Sequence, residues 1–428
     1  MECCTAFLHF CRLTGLDRYL RRQTELHFVA RDGRVNRFRS VPLPAPLHLL
    51  PALGRLSWLS RSQRREIRRG LMALARDRQA AHTQHSFAHW LQSHGQSPET
   101  VEHFWNLVLV SALSETPDRI AVRYARKVFL DGFLSNASAW RVHIPTVPLG
   151  ELYGSRLANW FAEHGISVRL QCRVAELRES DDGGCDVVLV DGEIVRADRV
   201  ILAVPHHLVS ALVPDSLKQH PAVRNLESIE TAPISSVHLW FDRPITSLPH
   251  AVFVDRMSQW LFNRDLLCDT DRHNRGYYVQ VVISASRQLT GESRDDIVQA
   301  VLRDLGEVWP ATRAATVLHS RVVTEHRAVF SVTPGIDALR PRQTALVEGT
   351  TGETFGRAAC YLAGDWTATG WPSTMESAVR SGFLAAEAVL ASCDRPQRIM
   401  PPEHPGSLLF RLLFGRKGQS ETPAEPVP

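Results

Sequence analysis

The sequence predicts an α/β fold that joins a parallel sheet to a mixed sheet and a largely helical region. The uninterrupted apolar run 200–204 fits a strand that is buried on both faces of a parallel sheet. A second apolar strand over 358–363 ends at Gly364, and a helix begins after Pro372, which completes a strand–turn–helix unit. Apolar periodicity adds strands over 236–241, 277–284 and 316–323 and a helix over 294–308, which we assign to the mixed sheet.

Length and composition indicate an ordinary globular protein. The chain has 428 residues, of which 44% are hydrophobic and 22% are charged, so it can form two or three hydrophobic cores. Its net charge is +4, and the arginine cluster within 61–78 does not by itself imply a nucleic-acid partner. The eight cysteines form no C-x-x-C pair, as in reduced cytoplasmic proteins. Without a signal peptide or an apolar run of roughly 18 residues, we expect a soluble or peripheral protein.

The N-terminal part combines helices with a hairpin. A helix is predicted over 6–20, and two strands over 26–30 and 35–39 are joined by Asp32-Gly33, a strong hairpin signal. The pattern is then largely helical from 56 to about 165. Strands over 168–170, 173–178, 187–190 and 194–197 follow, joined by short turns, and this meander leads into the apolar run 200–204.

Two segments are both apolar and basic. In 61–78, Ile67, Leu71 and Leu74 share one helical face while the arginines lie largely elsewhere. This pattern suits a helix on an anionic membrane surface, and it equally suits a packed helix with a solvated basic face. The segment 407–417 has a similar character and stands between a proline-rich linker and a tail expected to be disordered. Together the two segments favour peripheral membrane contact.

The strand–turn–helix unit near the C-terminus has the features of a nucleotide-cofactor site. Gly364 lets the backbone pass close to a ligand, and Asp365 offers a carboxylate to sugar or ribitol hydroxyls. Pro372 suits the first helical turn, which Ser373 or Thr374 can cap. The positive end of that helix favours a diphosphate or an electron-rich flavin.

These residues resemble a known family. The run 362–382 is similar to the FAD-dependent amine oxidase and phytoene desaturase superfamily, and further similar pieces are spread over nearly the whole chain. Gln259-Trp260 and the run from Thr369 to Pro372 resemble its squalene-associated branch, the hydroxysqualene dehydroxylases of hopanoid synthesis. The resemblance implies an FAD/NAD(P)-binding Rossmann-like domain, incomplete at its N-terminus, with a substrate domain of mixed sheet and helices.

The same resemblance implies cofactor contacts. Val174 is expected to contact adenine through its backbone, Gly364 and Asp365 the ribitol region, and Thr374, Met375 and Glu376 the flavin. Family members open with a G-x-G-x-x-G unit for the FAD diphosphate, and none of the 25 glycines here forms that pattern. We expect either a start codon further upstream or a truncated product with weakened FAD binding.

The resemblance implies reductive removal of an allylic hydroxyl from hydroxysqualene to give squalene. This reaction needs a proton donor, for which His326 and Glu325 are candidates, and a long apolar tunnel that excludes water. Tunnel candidates are Trp240, Trp260, Phe262 and Phe330. The resemblance therefore implies a lipophilic isoprenoid substrate and a cytoplasmic protein at the inner face of the membrane. It does not identify the electron donor.

Other functions remain open. A carotenoid precursor or an amine is an alternative substrate, and a truncated product without catalysis is a third possibility. His82, His85 and His89 recur at helical spacing, but no carboxylate completes a shell, so no metal site is expected. The expected organisation is 1–40, part of the cofactor and substrate region; 41–140, helical and membrane-facing; 141–210, the FAD-domain meander and strand; 211–345, the substrate sheet; 346–395, the FAD-binding strand and helix; and 396–428, linker, amphipathic segment and tail.

Overall fold

The computed structural model describes residues 1–77, 79, 83–180, 184–268, 276–347 and 359–415. Most predicted strands occur close to their expected positions. The strands are β1 Leu20–Gln23, β2 Leu26–Val29, β3 Val35–Phe38, β4 Val142–Pro145, β5 Val174–Glu179, β6 Cys185–Leu189, β7 Ile194–Ala197, β8 Arg199–Leu202, β9 Thr231–Phe241, β10 His250–Phe253, β11 Trp260–Asn263, β12 Tyr277–Ile283, β13 Val317–Phe330 and β14 Ala359–Leu362.

Helices fill most of the chain between β3 and β5, and further helices pack on the seven-stranded sheet and on the β8–β14 pair. No helix within the described ranges is long and apolar enough to cross a bilayer. The α-helices are α1 Thr5–Leu13, α2 Leu50–Gly54, α3 Arg61–Arg76, α4 Phe87–Ser93, α5 Pro98–Thr100, α6 Leu107–Leu113, α7 Val122–Phe129, α8 Leu157–Glu163, α9 His206–Leu212, α10 Asp215–Lys218, α11 Pro221–Arg224, α12 Arg264–Leu267, α13 Arg294–Val308, α14 Ala311–Ala314, α15 Met375–Ser392 and α16 Leu408–Phe414.

A seven-stranded mixed sheet organises the substrate side of the molecule. Its strand order is β13-β9-β12-β11-β10-β2-β3, with β10 parallel to β2 and the other neighbours antiparallel. The N-terminal hairpin β2–β3 is therefore part of this sheet. One face packs on α13, where Val237 and Leu239 meet Ile297 and Val301 in a buried cluster. The opposite face is left for the helices that precede β4.

The parallel pair β8–β14 forms the cofactor side. The two strands run in register from Arg199 and Ala359 to Leu202 and Leu362, and Ala363 N–H continues the ladder to the Leu202 carbonyl at 2.9 Å. The prediction that the 200–204 strand is buried on both faces is wrong, because Ile201 is 42% exposed. Within the described part of the chain β8 pairs only with β14, which leaves one side of Ile201 open to solvent.

Two further predictions are corrected by the structure. The helix predicted over 6–20 ends at Leu13, because Gly15 adopts a left-handed backbone with φ of 68° and a short 3₁₀ turn leads into β1. The strand predicted over 168–170 does not form. Leu170 is 83% exposed there, and none of the described strands pairs with the segment. The remaining meander strands, β5, β6 and β7, pair antiparallel as predicted.

Helix α3 packs its apolar face into the protein. Ile67 and Leu74 are fully buried, while Arg61, Arg65 and Arg68 are exposed. The packed helix with a solvated basic face is therefore the arrangement that the structure shows.

An acidic side chain anchors α3 to α5. The Glu66 carboxylate accepts hydrogen bonds from Ser97 N–H at 3.0 Å, Ser97 Oγ at 2.7 Å and Thr100 Oγ1 at 2.7 Å. Burial works to raise the Glu66 pKa, but the hydrogen bonds from Thr100 and Ser97 outweigh it and lower the pKa from 4.5 to about 2. The native contacts thus favour the ionised carboxylate.

This anchor predicts a pH-dependent contribution to stability. Because the folded pKa lies below the unfolded one, the contribution is complete above about pH 5 and is lost as the pH falls towards 2. We expect Glu66→Gln to lower the unfolding free energy above pH 5, with the difference from wild type shrinking below pH 4.5. Urea denaturation at each pH measures it, with exposed Glu99→Gln as the control. A difference independent of pH would contradict this account.

The C-terminal segment folds back across the molecule. Ile399 and Met400 N–H groups donate to Glu387 Oε1 at 2.7 and 2.8 Å, and His404 Nε2 contacts the Glu2 carbonyl oxygen at 2.9 Å. Ser407 then caps α16 and contacts the segment before α2 through its hydroxyl, which donates to the Ala45 carbonyl. The tail predicted to be disordered, 416–428, lies outside the described residues.

Candidate functional site

The site begins where β14 ends. Gly364 has a φ of 147°, and a Cβ atom at this position would overlap the Trp366 indole, so only glycine fits without rearrangement. Gly364 N–H donates to Ser381 Oγ of α15 at 2.8 Å. The Trp366 indole N–H donates to the Val204 carbonyl at 3.0 Å. These bonds hold the carboxyl ends of β8 and β14 together with α15.

Asp365 lies directly beyond this glycine and is half-buried. One of its carboxylate oxygens accepts a hydrogen bond from the Ser373 hydroxyl. The other has no donor within the described ranges. The Asp365 backbone is fixed separately, since its carbonyl accepts from Ser377 Oγ at 2.9 Å. The arrangement presents a positioned acceptor at the carboxyl end of parallel strands, where α/β sheets bind nucleotide ligands.

Arg340 shapes the loop that carries Asp365. Arg340 is 4% exposed, and its guanidinium donates to the carbonyls of Asp365 at 3.1 Å, Trp366 at 3.3 Å and Thr367 at 2.5 Å. It also donates to the Tyr124 hydroxyl at 2.6 Å. One buried side chain thereby orients three consecutive carbonyls, which a flexible point charge such as lysine cannot reproduce.

The N-terminus of α15 is the second element of the site. Thr374 caps it, since its hydroxyl oxygen accepts from Ser377 N–H at 3.2 Å. The first intrahelical bond runs from Ala378 N–H to the Thr374 carbonyl, so the N–H groups of Met375 and Glu376 have no intrahelical acceptor. These donors and the helix dipole favour an electron-rich ligand group.

The Glu376 side chain has a different role from its backbone. Its carboxylate is buried and accepts from the N–H groups of Ala6 at 3.1 Å and Phe7 at 2.8 Å, which begin α1. It also pairs with Arg380 Nε at 2.6 Å. The carboxylate thus joins α1 to α15, and the part of Glu376 available to a cofactor is its backbone.

The other predicted site residues are placed apart from this loop. Val174 opens β5, where it is half-buried and pairs with Leu189, and its contact with adenine stays a prediction. Glu325 and His326 are exposed near the end of β13, the edge strand of the mixed sheet. Glu325 Oε1 accepts from Arg327 N–H at 3.2 Å. Neither side chain lies in an enclosed environment that would bring it to a hydrophobic substrate.

A large apolar cavity lies between the open face of the mixed sheet and the helices. Its volume is about 390 Å³, and its wall contains no ionisable side chain. Met1 contributes to the wall, and Ala6, five residues further along the chain, donates its N–H to Glu376 at 3.1 Å. The wall is formed by Met1, Leu26, Phe28, Phe38, Pro46, Leu49, Leu50, Leu53, Leu56, Trp58, Leu71, Phe104, Leu107, Val108, Ser111, Ala112, Phe129, Phe133, Leu134, Trp140, Val142, Val252, Trp260, Phe262, Val282 and Ser284.

The four predicted tunnel residues separate into two pairs. Trp260 and Phe262 line the cavity and stack on each other with centroids 5.5 Å apart. Trp240 and Phe330 lie outside its wall. Trp240 shares the cavity's face of the sheet but stacks on Tyr278, and Phe330 is buried beneath the Arg340 guanidinium at 4.5 Å. Of the four aromatic side chains predicted to line a tunnel, two therefore line the cavity and two lie elsewhere on the same sheet.

A hydrogen-bonded pair that sequence reasoning missed lies beside the cavity. Register places Gln280 opposite Phe262 and His238 opposite Gln280, on the face that the cavity uses. His238 Nδ1 and the Tyr278 hydroxyl are 2.6 Å apart. Burial raises the pKa of Tyr278, whereas burial, followed by the charges of Arg321 and Arg264, lowers that of His238. Both groups are therefore neutral near pH 7, with the phenol protonated.

The three histidines considered for metal binding are His82, His85 and His89. His85 and His89 have ring centroids 4.6 Å apart, and His82 lies outside the described residues. Across the part of the chain that the structure describes, no three metal-binding side chains cluster.

The family model for flavin-containing amine oxidoreductases matches residues 4–390. The chain belongs to that family. FAD is accordingly its cofactor.

Individual relatives are more distant. The chain is 28% identical to the tomato (Solanum lycopersicum) 15-cis-phytoene desaturase over 247 residues, covering 55% of this chain and 41% of that protein. It is 25% identical to the 15-cis-phytoene desaturase of Synechococcus elongatus, covering 86% of this chain and 78% of that protein. The chain thus spans about two fifths of the tomato relative.

A solved structure supports the fold. The putative protoporphyrinogen oxidase from Exiguobacterium sp. 255-15 superimposes with a TM-score of 0.61 at 16% identity, covering 90% of this chain and 84% of that one. At this identity the likeness concerns the fold alone.

The residues present fit one end of FAD. Asp365 offers an acceptor suited to ribitol hydroxyls, and the free N–H groups of Met375 and Glu376 suit the oxygen-rich edge of the flavin.

Proposed function

We propose that the protein catalyses reductive dehydroxylation of a long-chain allylic alcohol, hydroxysqualene, to squalene. The apolar cavity is the observation that carries this proposal. Its wall of hydrocarbon and aromatic side chains suits a long isoprenoid and excludes water from it. The squalene branch is supported by the resemblance of Gln259-Trp260 and of the run from Thr369 to Pro372.

The cavity does not favour an amine. A buried ammonium group is compensated best by a carboxylate, because a cation–π contact with an aromatic face contributes only about 2 kcal/mol. The cavity wall contains no aspartate or glutamate. Burying an ammonium group in it would therefore cost more than burying an isoprenoid of similar size.

We propose that the Tyr278–His238 pair, which lies outside the cavity wall on the same face of the sheet, supplies the proton to a hydroxyl held at this end of the cavity. The Tyr278 phenol protonates the leaving hydroxyl and the C–O bond breaks. The departure of water produces an allylic cation. With Nδ1 protonated, His238 donates to the phenol oxygen, which leaves the phenolic proton for the substrate. The imidazole then returns its Nδ1 proton to the phenolate while its Nε2 atom, 3.3 Å from Ser236 Oγ, takes up a proton from solvent. The hydride that converts the cation to the hydrocarbon would come from reduced FAD, which Asp365 and the first N–H groups of α15 would hold. The cavity holds the chain of the substrate and keeps water from the cation.

Product analysis tests this function directly. Purified protein with bound FAD is incubated without oxygen with hydroxysqualene and a chemical reductant, and the lipid extract is analysed for squalene. Squalene formation that requires both FAD and reductant is expected. Bound, reducible FAD without squalene would contradict the proposal.

A phytoene-type desaturation is the second candidate. The names of the relatives favour it, because those proteins are phytoene and zeta-carotene desaturases. In that reaction the substrate loses two hydrogens and the flavin is reduced. Incubation of the oxidised protein with phytoene and an electron acceptor distinguishes the two reactions, since only a desaturase extends the conjugated chromophore.

We further propose that the substrate enters from an anionic membrane. Leu50 and Leu53 belong both to the cavity wall and to a surface depression that Arg61, Arg65 and Arg68 flank. Leu50 is 42% exposed. An apolar opening beside a basic surface suits contact with anionic headgroups, each arginine contributing about 1 kcal/mol near the membrane.

Helix α16 extends this surface. The hydroxyl of Ser407, its capping residue, bonds to the Ala45 carbonyl, and Ala45 precedes the wall residue Pro46. Leu408 is 72% exposed and Leu412 83% exposed on this helix. Two exposed leucines one turn apart, next to the opening, provide an apolar contact for the lipid.

Membrane contact predicts a charge-specific loss of lipid binding. We expect Arg65→Glu with Arg68→Glu to reduce flotation with phosphatidylserine-containing vesicles at least tenfold, because the two reversals oppose the anionic surface. The matched control, Arg294→Glu with Arg303→Glu, changes exposed arginines of α13, which covers the other face of the sheet. Equal loss in both double variants would indicate a general charge effect and contradict this orientation.

A further inference from the structure

A chain of four polar side chains crosses β9 and β12 on the face of the sheet that the cavity uses. Gln280 Nε2 donates to Ser236 Oγ at 2.9 Å, and Ser236 Oγ lies 3.3 Å from His238 Nε2. On the other side of the imidazole, His238 Nδ1 lies 2.6 Å from the Tyr278 hydroxyl oxygen. All four residues are half-buried. Gln280 is also opposite the cavity residue Phe262, so the chain of contacts begins beside the cavity wall.

The Ser236 hydroxyl gives these contacts a direction. A serine hydroxyl has one proton to donate and accepts through its oxygen. Because the Gln280 amide nitrogen donates to that oxygen, the hydroxyl proton is available to a second partner, which within the described ranges is His238 Nε2. If Nε2 were itself protonated, the Ser236 proton would lose this acceptor and one hydrogen bond would be missing. The neutral imidazole therefore has its proton on Nδ1.

We propose that Ser236 and Gln280 are positioning residues, which hold His238 as the tautomer with its proton on Nδ1. In this tautomer the imidazole donates to the Tyr278 oxygen and leaves the phenolic proton for a substrate hydroxyl. The opposite tautomer would accept the phenolic proton at Nδ1 and withhold it from the substrate. This inference rests on the proposed function, because it explains how the Tyr278–His238 pair presents an acid.

The tautomer is measurable in the resting protein, without substrate or reductant. The FAD-loaded protein is prepared with isotope-labelled histidine, and the His238 signals are those that are missing from the His238→Gln variant. Protonated and unprotonated ring nitrogens differ widely in nitrogen chemical shift, so long-range proton–nitrogen spectra at about pH 7.5, where the imidazole is neutral, report the tautomer. We expect the form with Nδ1 protonated to dominate in wild type about fivefold, the ratio that one neutral hydrogen bond provides.

Three variants separate the contribution of the hydroxyl from that of the amide. Ser236→Ala removes the donor to Nε2, and we expect the form with Nε2 protonated to dominate and squalene formation to slow about tenfold. Gln280→Leu removes the amide donor, so the hydroxyl can accept as well as donate and the two tautomers approach equal populations. Ser236→Thr keeps a hydroxyl on a residue that suits a strand, and it is expected to retain the wild-type tautomer and rate. Circular dichroism and flavin content check that each variant is folded.

The outcomes are distinct. A wild-type imidazole protonated mainly on Nε2 would mean that Gln280 presents its oxygen to Ser236, and it overturns the inference. An unchanged tautomer in Ser236→Ala overturns it as well, and so does a wild-type rate in a Ser236→Ala variant whose tautomer has switched. Failure of the wild-type protein to form squalene affects the proposed function alone, because the tautomer is measured without reaction.

Discussion

Tyr278→Phe is expected to lower the rate of squalene formation about 100-fold while leaving FAD binding unchanged. The variant removes the phenolic hydroxyl that lies 2.6 Å from His238 Nδ1 and keeps the ring that stacks on Trp240 at 4.5 Å. Without the phenol, hydroxide must leave the substrate unprotonated at the edge of an apolar cavity, where charge separation is opposed. Single-turnover reduction of hydroxysqualene by the pre-reduced enzyme measures the loss.

The neighbouring residue provides a matched control. Tyr277 is on the same strand and is 45% exposed, so Tyr277→Phe removes a phenol that faces away from the pair. We expect this variant to keep the wild-type rate. His238→Gln should lower the rate by a smaller factor, because it keeps a donor to Tyr278 but cannot replace its proton. Wild-type turnover in Tyr278→Phe would remove this residue from the mechanism.

Arg340→Lys is expected to weaken FAD binding at least tenfold. The guanidinium orients the carbonyls of Asp365, Trp366 and Thr367 together with the Tyr124 hydroxyl. A lysine retains the charge but not the planar set of donors, so several of these acceptors lose their partner. The loop that carries Asp365 then has more than one conformation, and the cofactor must order it on binding.

Titration of the apoprotein with FAD, followed by flavin fluorescence, measures the affinity. The control is Arg294→Lys on the exposed surface of α13, which should bind FAD as wild type does. Circular dichroism distinguishes a misfolded protein from a folded one with a disordered loop. Wild-type affinity in a folded Arg340→Lys variant would show that the loop keeps its shape without the guanidinium.

Local patterns predicted the elements that depend on local interactions. Helix α13 begins and ends where the periodicity indicates, because Ser293 caps it and its apolar residues face β9 across one cluster. The hairpin around Asp32-Gly33 also formed, since a two-strand turn depends on few residues. The predicted cofactor loop is built from adjacent positions, so its residues could be proposed together.

The local patterns did not predict contacts between residues that are far apart in the sequence. Strand β4 pairs with β1, which precedes it by more than a hundred residues. Each of these strands has four residues, which are too few to show a usable periodicity. The Tyr278–His238 pair depends on the register between β9 and β12. Trp240 and Trp260 are equally plausible from sequence, yet only Trp260 reaches the cavity, because position across a sheet is decided by strand order.

The buried Glu376 carboxylate makes the two ends of the chain one cooperative unit. It accepts the first N–H groups of α1 while its own backbone begins α15. Opening of the start of α15 therefore removes the acceptor for the N–H groups of α1, and opening of the start of α1 removes the donors to Glu376. The two helix ends are thus expected to open together. A ligand that orders the start of α15 will by the same contact slow amide exchange in α1, although it touches no residue of that helix.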